Sequence, residues 1–404
     1  MTRGALRAAG IGLLLALSAA GASAQDSQIG PPPVQYNFAP PGGRSLAMGA
    51  SFIGLADDAT ASESNPAGLT ILTKPEVSAH FRYSSFVNEA PDTVSGAGFA
   101  RFSDRQGSPG FFSVVYPRGN QAFSLYYQRA ADYRAHSFFD GLLGDGTPNY
   151  DQLETRFRVE NVGLSAATRI GSRLSAGASI RWTRTLLEAT QITTFPSFGS
   201  ISSLGGTVDQ TQSKATFNAG LLFRPASWVS AGIVYKHGGD FTFDETVAIR
   251  FRDVDGNDET DSATQRIRVT LPASFGAGVA LRPTDSFLLT ADLVRINYSD
   301  ADLGPGNENL YQIAGQGGRE DLKDATEIHV GTEYTWSVAS DWILAVRGGF
   351  YTDPDHDGLA GLDSEDVHAT FGAGVVVQNK LQIDVAANLA TRVKEGLISF
   401  VVRF

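Results

Sequence analysis

Residues 42–69 read GGRSLAMGASFIGLADDATASESNPAGL, and no long helix or strand accommodates them. Five glycines interrupt any regular element. Asn65-Pro66 marks a turn, because the residue before proline is pushed out of the α region. Asn65 can also hydrogen-bond its own backbone and hold that turn. Leu46, Met48, Phe52, Ile53, Leu55 and Leu69 are apolar and need burial, while Asp57-Asp58 needs water or a donor. A compact, turn-rich, half-apolar segment of this kind has to be enclosed by something else.

Downstream, from about Val77, the pattern turns to period two. In 381–392, Leu381, Ile383, Val385, Ala387 and Leu389 share one face, and Gln382, Asp384, Asn388 and Arg392 the other. Ile180 and Trp182 oppose Ser179, Arg181 and Thr183 in the same way, and Val346 and Phe350 oppose Arg347 and Gly349. One face carries small polar residues and arginine, and the other is apolar with aromatics near the turns. This is the signature of a transmembrane barrel strand, wet inside and lipid-facing outside. Fifteen segments qualify: 77–89, 93–103, 109–117, 120–130, 155–169, 172–188, 214–224, 227–237, 264–282, 285–298, 322–336, 341–352, 366–378, 380–393 and 396–404. Bacterial barrels have even numbers of strands, so Gly-rich 93–103 is read as a loop excursion and about fourteen remain. Short turns at 118–119, 171–172, 282–284 and 379 alternate with long polar connections at 131–154, 189–213, 238–263, 299–321 and 353–365. Short periplasmic turns and long outer loops follow the same rule. The terminal Ile398, Phe400, Val402 and Phe404 share a face, as a client of the barrel-assembly machinery requires.

Upstream, Arg3 and Arg7, the apolar run Ile11–Leu17 and the small residues Ala22-Ser23-Ala24 form an export signal cleaved before Gln25. The expected organisation is a signal at 1–24, a plug at 25–76 and a barrel at 77–404. No later run reaches the ~18 apolar residues of a membrane helix. There is no cysteine, which excludes disulfides and thiol chemistry. The net charge of −11 falls to about −13 without the signal and argues against nucleic acid.

The glycine-rich opening, GASFIGLADDATA and NPAGL resemble the N-terminal hatch of the FadL/TodX family of outer-membrane transporters for long-chain fatty acids and hydrocarbons. Leu271-Pro272-Ala273-Ser274, Pro283-Thr284-Asp285 and Ala291-Asp292 resemble the family's LPAS, PTD and AD stretches, and Tyr351-Thr352-Asp353-Pro354 its YDPSP-type strand end. The resemblance implies an all-β antiparallel barrel of about fourteen strands in the outer membrane of a Gram-negative-type bacterium, with the hatch inside its lumen. It implies passive uptake of hydrophobic molecules, most of all long-chain fatty acids, past a gating hatch, by a monomer in contact with outer-membrane lipid and lipopolysaccharide. PorV-like outer-membrane proteins, which anchor or shuttle secreted proteins, share the opening motif and are the alternative.

The hatch residues singled out are Gly43, Arg44, Leu46, Met48, Phe52, Asp57, Asp58, Asn65, Pro66, Ala67 and Gly68, with Arg44 and the aspartates as anchors to wall charges. Phe138, Phe139, Leu142, Leu143, Phe195 and Phe198 give two outer loops an unusual apolar content, read either as self-packing or as ligand capture. Arg156, Arg158, Arg181 and Arg347 are candidates for a carboxylate head group. The six histidines are scattered, with no H-E-x-x-H or G-x-S-x-G, so no catalytic group or cofactor is expected. Asp353, Asp355 and Asp357 open like a calcium loop, but Ser364 stands where the closing glutamate belongs, so they read as a solvated acidic loop.

Overall fold

In the computed structural model β1 (Glu76–Asp92), β2 (Gly98–Arg118), β3 (Gln121–Leu142), β4 (Pro148–Ile170), β5 (Leu174–Ser197), β6 (Ser200–Ala226) and β7 (Val229–Lys236) form half of a wall. A hairpin of β8 (Gly239–Arg252) and β9 (Asp258–Leu271) follows. The wall then continues through β10 (Ser274–Thr284), β11 (Phe287–Ile296), β12 (Ala325–Ala339), β13 (Trp342–Asp353), β14 (Asp366–Val377), β15 (Leu381–Leu389) and β16 (Val393–Arg403). The structure describes residues 41–92, 98–142, 148–197, 200–252, 258–300, 323–354 and 365–404. The signal segment, Leu143, Phe198, Asp355, Asp357 and Ser364 lie outside them.

All pairings are antiparallel. β16 meets β1 with Glu76 opposite Arg403 and Phe86 opposite Val393, which closes a barrel of 14 strands once the β8–β9 hairpin is set apart. The last residue is tied in as well, Phe404 N donating to Pro75 O at 3.0 Å. Two-residue turns suit the short side. Gln378 and Asn379 both take positive φ between β14 and β15, which matches the twist of a tight hairpin.

The structure corrects three strand assignments. Residues 98–103 are not a loop excursion but the outer end of β2, since Glu89 pairs with Arg101 and Asp92 with Gly98. Residues 93–103 and 109–117 therefore belong to one strand apart from 93–97, which lie outside the described residues. The connections at 131–154, 189–213 and 238–263 are largely strand: β3, β4, β5 and β6 run on as a long ribbon, and β8 with the start of β9 takes up most of the last. Segment 264–282 is broken in two. Pro272 has no N–H to give a ladder, and Gly238 sits where any Cβ would overlap Leu271 O. The chain bends there, so β8 leaves the line of β7 and pairs instead with the outer end of β6, Thr246–Arg252 against Ile201–Thr207.

Side-chain alternation explains where the hairpin goes. In the lower half of β4 and β5, Leu164, Ile180 and Trp182 face outward to lipid, while Ser165, Ser179, Arg181 and Thr183 are buried inside. Above Asn161 the sense inverts. Phe157, Val159 and Leu187 now face inward and are buried with Val208 of β6. Against them pack Phe241 and Phe243 of β8 and Ile267, Val269 and Leu271 of β9, in one apolar cluster. The hairpin thus extends the outer sheet beside β6 and covers its apolar inner side. Outside at this level a polar belt marks the edge of the apolar zone: Tyr127 and Arg129 bond Glu160, and Arg129 and Arg158 flank Asp132. At the other edge Tyr116, Trp228, Trp336, Trp342 and Phe404 are exposed beside the short turns, as an interfacial girdle requires.

Candidate functional site

Residues 42–72 lie inside the barrel as three short turns: α1 (Gly43–Ala47), α2 (Ala61–Ser64) and a 3-10 helix (Pro66–Ile71). None is long enough to be stable alone. Their apolar side chains are buried against the wall: Leu46 and Ala47 on Ala386 and Leu397, and Met48, Phe52 and Leu55 on Ala280 and Leu288. Leu69 packs with Val115, Ala122 and Ala167. Backbone meets backbone because the wall offers glycine at the contacts. A Cβ on Gly331 would overlap Met48 O, and one on Gly177 would overlap the carbonyl carbon of Pro66.

The segment's orphan backbone groups find partners on the wall, as burial demands. Asp292 accepts from Phe52 N (2.6 Å) and Ile53 N (2.8 Å). Gly49 N donates to Thr370 Oγ1 (2.8 Å), and Gly49 O lies 2.8 Å from His329 Nδ1, whose other ring nitrogen faces Glu327. Gly43 N donates to Ser399, and Ser165 and Ser179 both donate to Ser62 O.

Arg44 makes the main ionic anchor. It holds Asp57 of its own segment and is bidentate to Glu333 of β12 (2.8 and 2.9 Å). Arg347 bonds the same Glu333 (2.6 Å) and Asp384 (2.8 Å). Burial works against the Arg44 charge, but Asp57 and Glu333 outweigh it and hold its pKa above the ordinary arginine value. Asp57 also lies 3.7 Å from Arg282. Asp58 does not face lumen water: it is buried and accepts from Thr60 N and Thr60 Oγ1, starting the turn into α2. Burial raises its pKa, and Arg44 and Thr60 offset only part of the rise. Asn65 Oδ1 accepts from Ala67 N at 3.2 Å, while its amide reaches Ile53 O (3.0 Å) and Leu221 O (3.2 Å).

Between this segment and the β8–β9 hairpin lies a small cleft, part of it open to solvent. Its floor is polar. Lys236 Nζ bonds Glu63 Oε1 at 2.7 Å, Asn161 bonds Gln128 (3.0 Å), and Thr183 bonds Asn161 (2.7 Å). Its roof is apolar, with Ala131, Val159, Leu271 and Pro272. Two buried polar atoms at the floor, Glu63 Oε2 and His237 Nδ1, have no hydrogen-bond partner among the described residues. Arg181 donates to Thr216 Oγ1 and His237 O and meets no carboxylate among the described residues.

The four candidate head-group arginines now separate. Arg156 pairs with Glu188 and Arg158 with Asp132, both on the outer face above the lipid zone. Arg347 is spent on Glu333 and Asp384. Arg181 alone of the four lines the cavity. Phe138, Phe139 and Leu142 lie at the end of β3, and Phe195 near the end of β5, far along the strands from the cavity. The sequence reading missed the β8–β9 hairpin and with it Lys236, Glu63 and His237. Its signal was the inverted alternation in 155–169, with Phe157 and Val159 in step with Asn161 and Ser165. Among the described residues no group of His, Asp and Glu is placed to hold a metal.

The profile of the outer membrane protein transport family (OMPP1/FadL/TodX) matches residues 35–397. No curated protein sequence matches the chain. Among solved structures, the chain is similar to a Pseudomonas aeruginosa FadL homologue at 16% identity and TM-score 0.66, covering 93% of this chain and 99% of that one. It is similar to the CymD monoaromatic hydrocarbon channel at 15% identity and TM-score 0.63, covering 91% and 99%. It is also similar to the P. putida toluene transporter TodX at 16% identity and TM-score 0.63, again covering 91% and 99%. At these identities the structures speak for the fold.

Proposed function

The chain belongs to the OMPP1/FadL/TodX family of outer-membrane transport proteins, and from that premise we propose that it takes up long-chain fatty acids through the cavity above residues 42–72, which act as a gating hatch. The family is one of channels for hydrophobic molecules in the Gram-negative outer membrane, and this favours transport over a PorV-like carrier role. The observation that carries the finer reading is the cavity itself: an apolar roof opposite an arginine without a carboxylate partner. The roof offers apolar contacts to the first methylenes of an alkyl chain, each of which contributes roughly 0.8 kcal/mol when buried. A carboxylate fits Arg181. Phe138, Phe139, Leu142, Leu143, Phe195 and Phe198 are the proposed capture residues at the outer entrance.

Lys236 links binding to the hatch. A carboxylate that reaches Arg181 also competes for Lys236, whose present partner is Glu63 of α2. Loss of that pair frees the hatch segment next to the cavity. A ligand shifts the hatch only by the difference in its affinity for the two states, and this competition supplies one. An uncharged hydrocarbon is the second reading, favoured by the apolar roof and not requiring Arg181. The test is binding of a long-chain fatty acid and of its methyl ester to wild type and Arg181→Gln. The substitution should lower acid affinity about tenfold, the worth of a charge-assisted hydrogen bond, and leave the ester unchanged. Equal effects on both ligands would refute the head-group assignment.

A further inference from the structure

Every short turn but one carries a cation. The turn β2–β3 has Arg118, β4–β5 has Arg169 and Arg173, β6–β7 has Arg224, β10–β11 has Arg282 and β14–β15 has Lys380. Lys74 precedes β1, and Arg403 ends β16. Only the turn β12–β13 lacks one. All but Arg403 are exposed. Among the described residues the exposed acidic side chains at this rim are Asp285 and Asp341. Main-chain bonds between neighbouring turns join the cations into an arc: Arg224 N to Arg173 O (2.7 Å), Arg169 N to Asn120 O (2.8 Å) and Arg403 N to Lys380 O (2.7 Å).

This arc stands on a chain of net charge −11, so it is a local polarity and not a general basicity. Arg403 is consumed by Glu76, Arg282 lies near Asp57, and Arg169 donates to Thr70 O. Lys74, Arg118, Arg173, Arg224 and Lys380 take part in no ion pair among the described residues. The arc sits just beyond the aromatic girdle. Arg118 lies two residues past Tyr116, Arg224 follows Phe223, and Lys380 precedes Leu381, and all three of these apolar neighbours face outward and are exposed. At about 3.3 Å per residue, the cations are held at head-group depth on the periplasmic leaflet.

We propose that this rim binds the phosphate groups of anionic phospholipids in the periplasmic leaflet and gathers a belt of them around the barrel. Long basic side chains lie their stems along apolar surface and send the charge to the phosphate layer. The same arrangement in polybasic segments favours anionic lipid at each cation. The girdle fixes lipid, not a soluble protein, as what meets these side chains. The proposal does not depend on the ligand carried by the lumen.

The chain has four tryptophans, and Trp228, Trp336 and Trp342 stand at this rim. In a Trp182→Phe background, their fluorescence is read in phosphatidylcholine vesicles containing brominated phosphatidylglycerol or brominated phosphatidylcholine. Quenching should show a roughly fivefold preference for the anionic lipid, the worth of one cation near an anionic surface. The preference should fall toward unity in high salt, as exposed charges are screened. It should vanish in R118Q/R173Q/R224Q/K380Q and survive when lysine replaces the three arginines. Equal quenching by the two lipids in the parent protein overturns the proposal, even if the rim captures an acidic soluble protein. So does a preference that persists in the glutamine variant. If that variant fails to assemble, the parent decides: a preference insensitive to salt overturns the idea.

Discussion

Glu63→Ala tests the proposed link between ligand and hatch most directly. Glu63 and Lys236 have side-chain exposures of 3% and 8%, and their 2.7 Å contact is the hatch's ionic bond at the cavity. Removing one partner of a buried pair leaves the other charge unpaired, at a cost of about 3–5 kcal/mol. The adjoining cavity gives the Lys236 ammonium access to solvent, so the lower figure, about 3 kcal/mol, applies. The backbone contact of Asn218 Nδ2 with Glu63 O (3.1 Å) survives the substitution. A 3 kcal/mol loss shifts the docking equilibrium of this part of the hatch roughly a hundredfold. Two consequences follow on the same preparation. Single-channel conductance in planar bilayers should rise, because the segment around α2 leaves the wall more often. Affinity for a long-chain fatty acid should also rise, because Lys236 no longer prefers Glu63 to the ligand. Affinity for the methyl ester should stay unchanged. Glu63→Ala combined with Lys236→Met removes both charges, so conductance should return toward wild type while acid affinity falls below it. Unchanged acid affinity in Glu63→Ala, or an equal gain for the ester, refutes the competition.

Two further perturbations address the hatch alone. Gly331→Ala places a Cβ against Met48, and overpacking costs about 1–3 kcal/mol, so hydrogen exchange over 46–53 should quicken while the barrel keeps its heat-modifiable gel mobility. Gly348→Ala is the control, since its Cβ would meet nothing nearer than Thr370 O at 3.9 Å, and an equal effect there would discredit the contact. Asp58 predicts a pH dependence. Its folded pKa is raised, so its stabilisation is fully present below the ordinary carboxylate value and is lost as pH rises through the raised one. Between pH 7 and pH 4, protection of residues 58–64 should therefore gain more in wild type than in Asp58→Asn, and parallel pH profiles would contradict this.

The barrel was legible because a lipid-facing strand writes its burial as period two. Leu381, Val385 and Leu389 are exposed to lipid, and Gln382, Asp384 and Asn388 are buried in the lumen, the faces the alternation assigns. Segments 189–213 and 238–263 were illegible for the converse reason. Above the membrane, water faces the outside and the folded hairpin faces the inside, so the same alternation changes meaning along one strand. Thr242, Asp244 and Arg266 are polar on the solvent face, while Phe241, Phe243 and Ile267 are buried. Read without a membrane boundary, that looks like polar loop with stray aromatics. The site suffered similarly. Arg181 could not be told from Arg347 by sequence, since both occupy lumenal positions. The difference is their neighbours: Glu333 and Asp384 surround one, and Thr216 and the His237 carbonyl the other.

That difference bears on how much of the hatch can move under the proposed mechanism. Toward β12–β16 the segment is held by Arg44 on Glu333, by Thr370 and His329 on Gly49, and by backbone packed on Gly331. None of those contacts borders the cavity, so a ligand bound there has no differential interaction with which to disturb them. Toward β3–β7 the cavity touches the hatch through Glu63. The neighbouring bonds are the hydroxyls of Ser165 and Ser179 on Ser62 O and the amide of Asn218 on Glu63 O, neutral contacts of about 1 kcal/mol each. Displacing the Glu63 carboxylate from Lys236 therefore leaves α2 held to the wall by neutral bonds alone. The proposed gate is a local opening around α2, hinged on the Arg44 side, and not withdrawal of the whole segment.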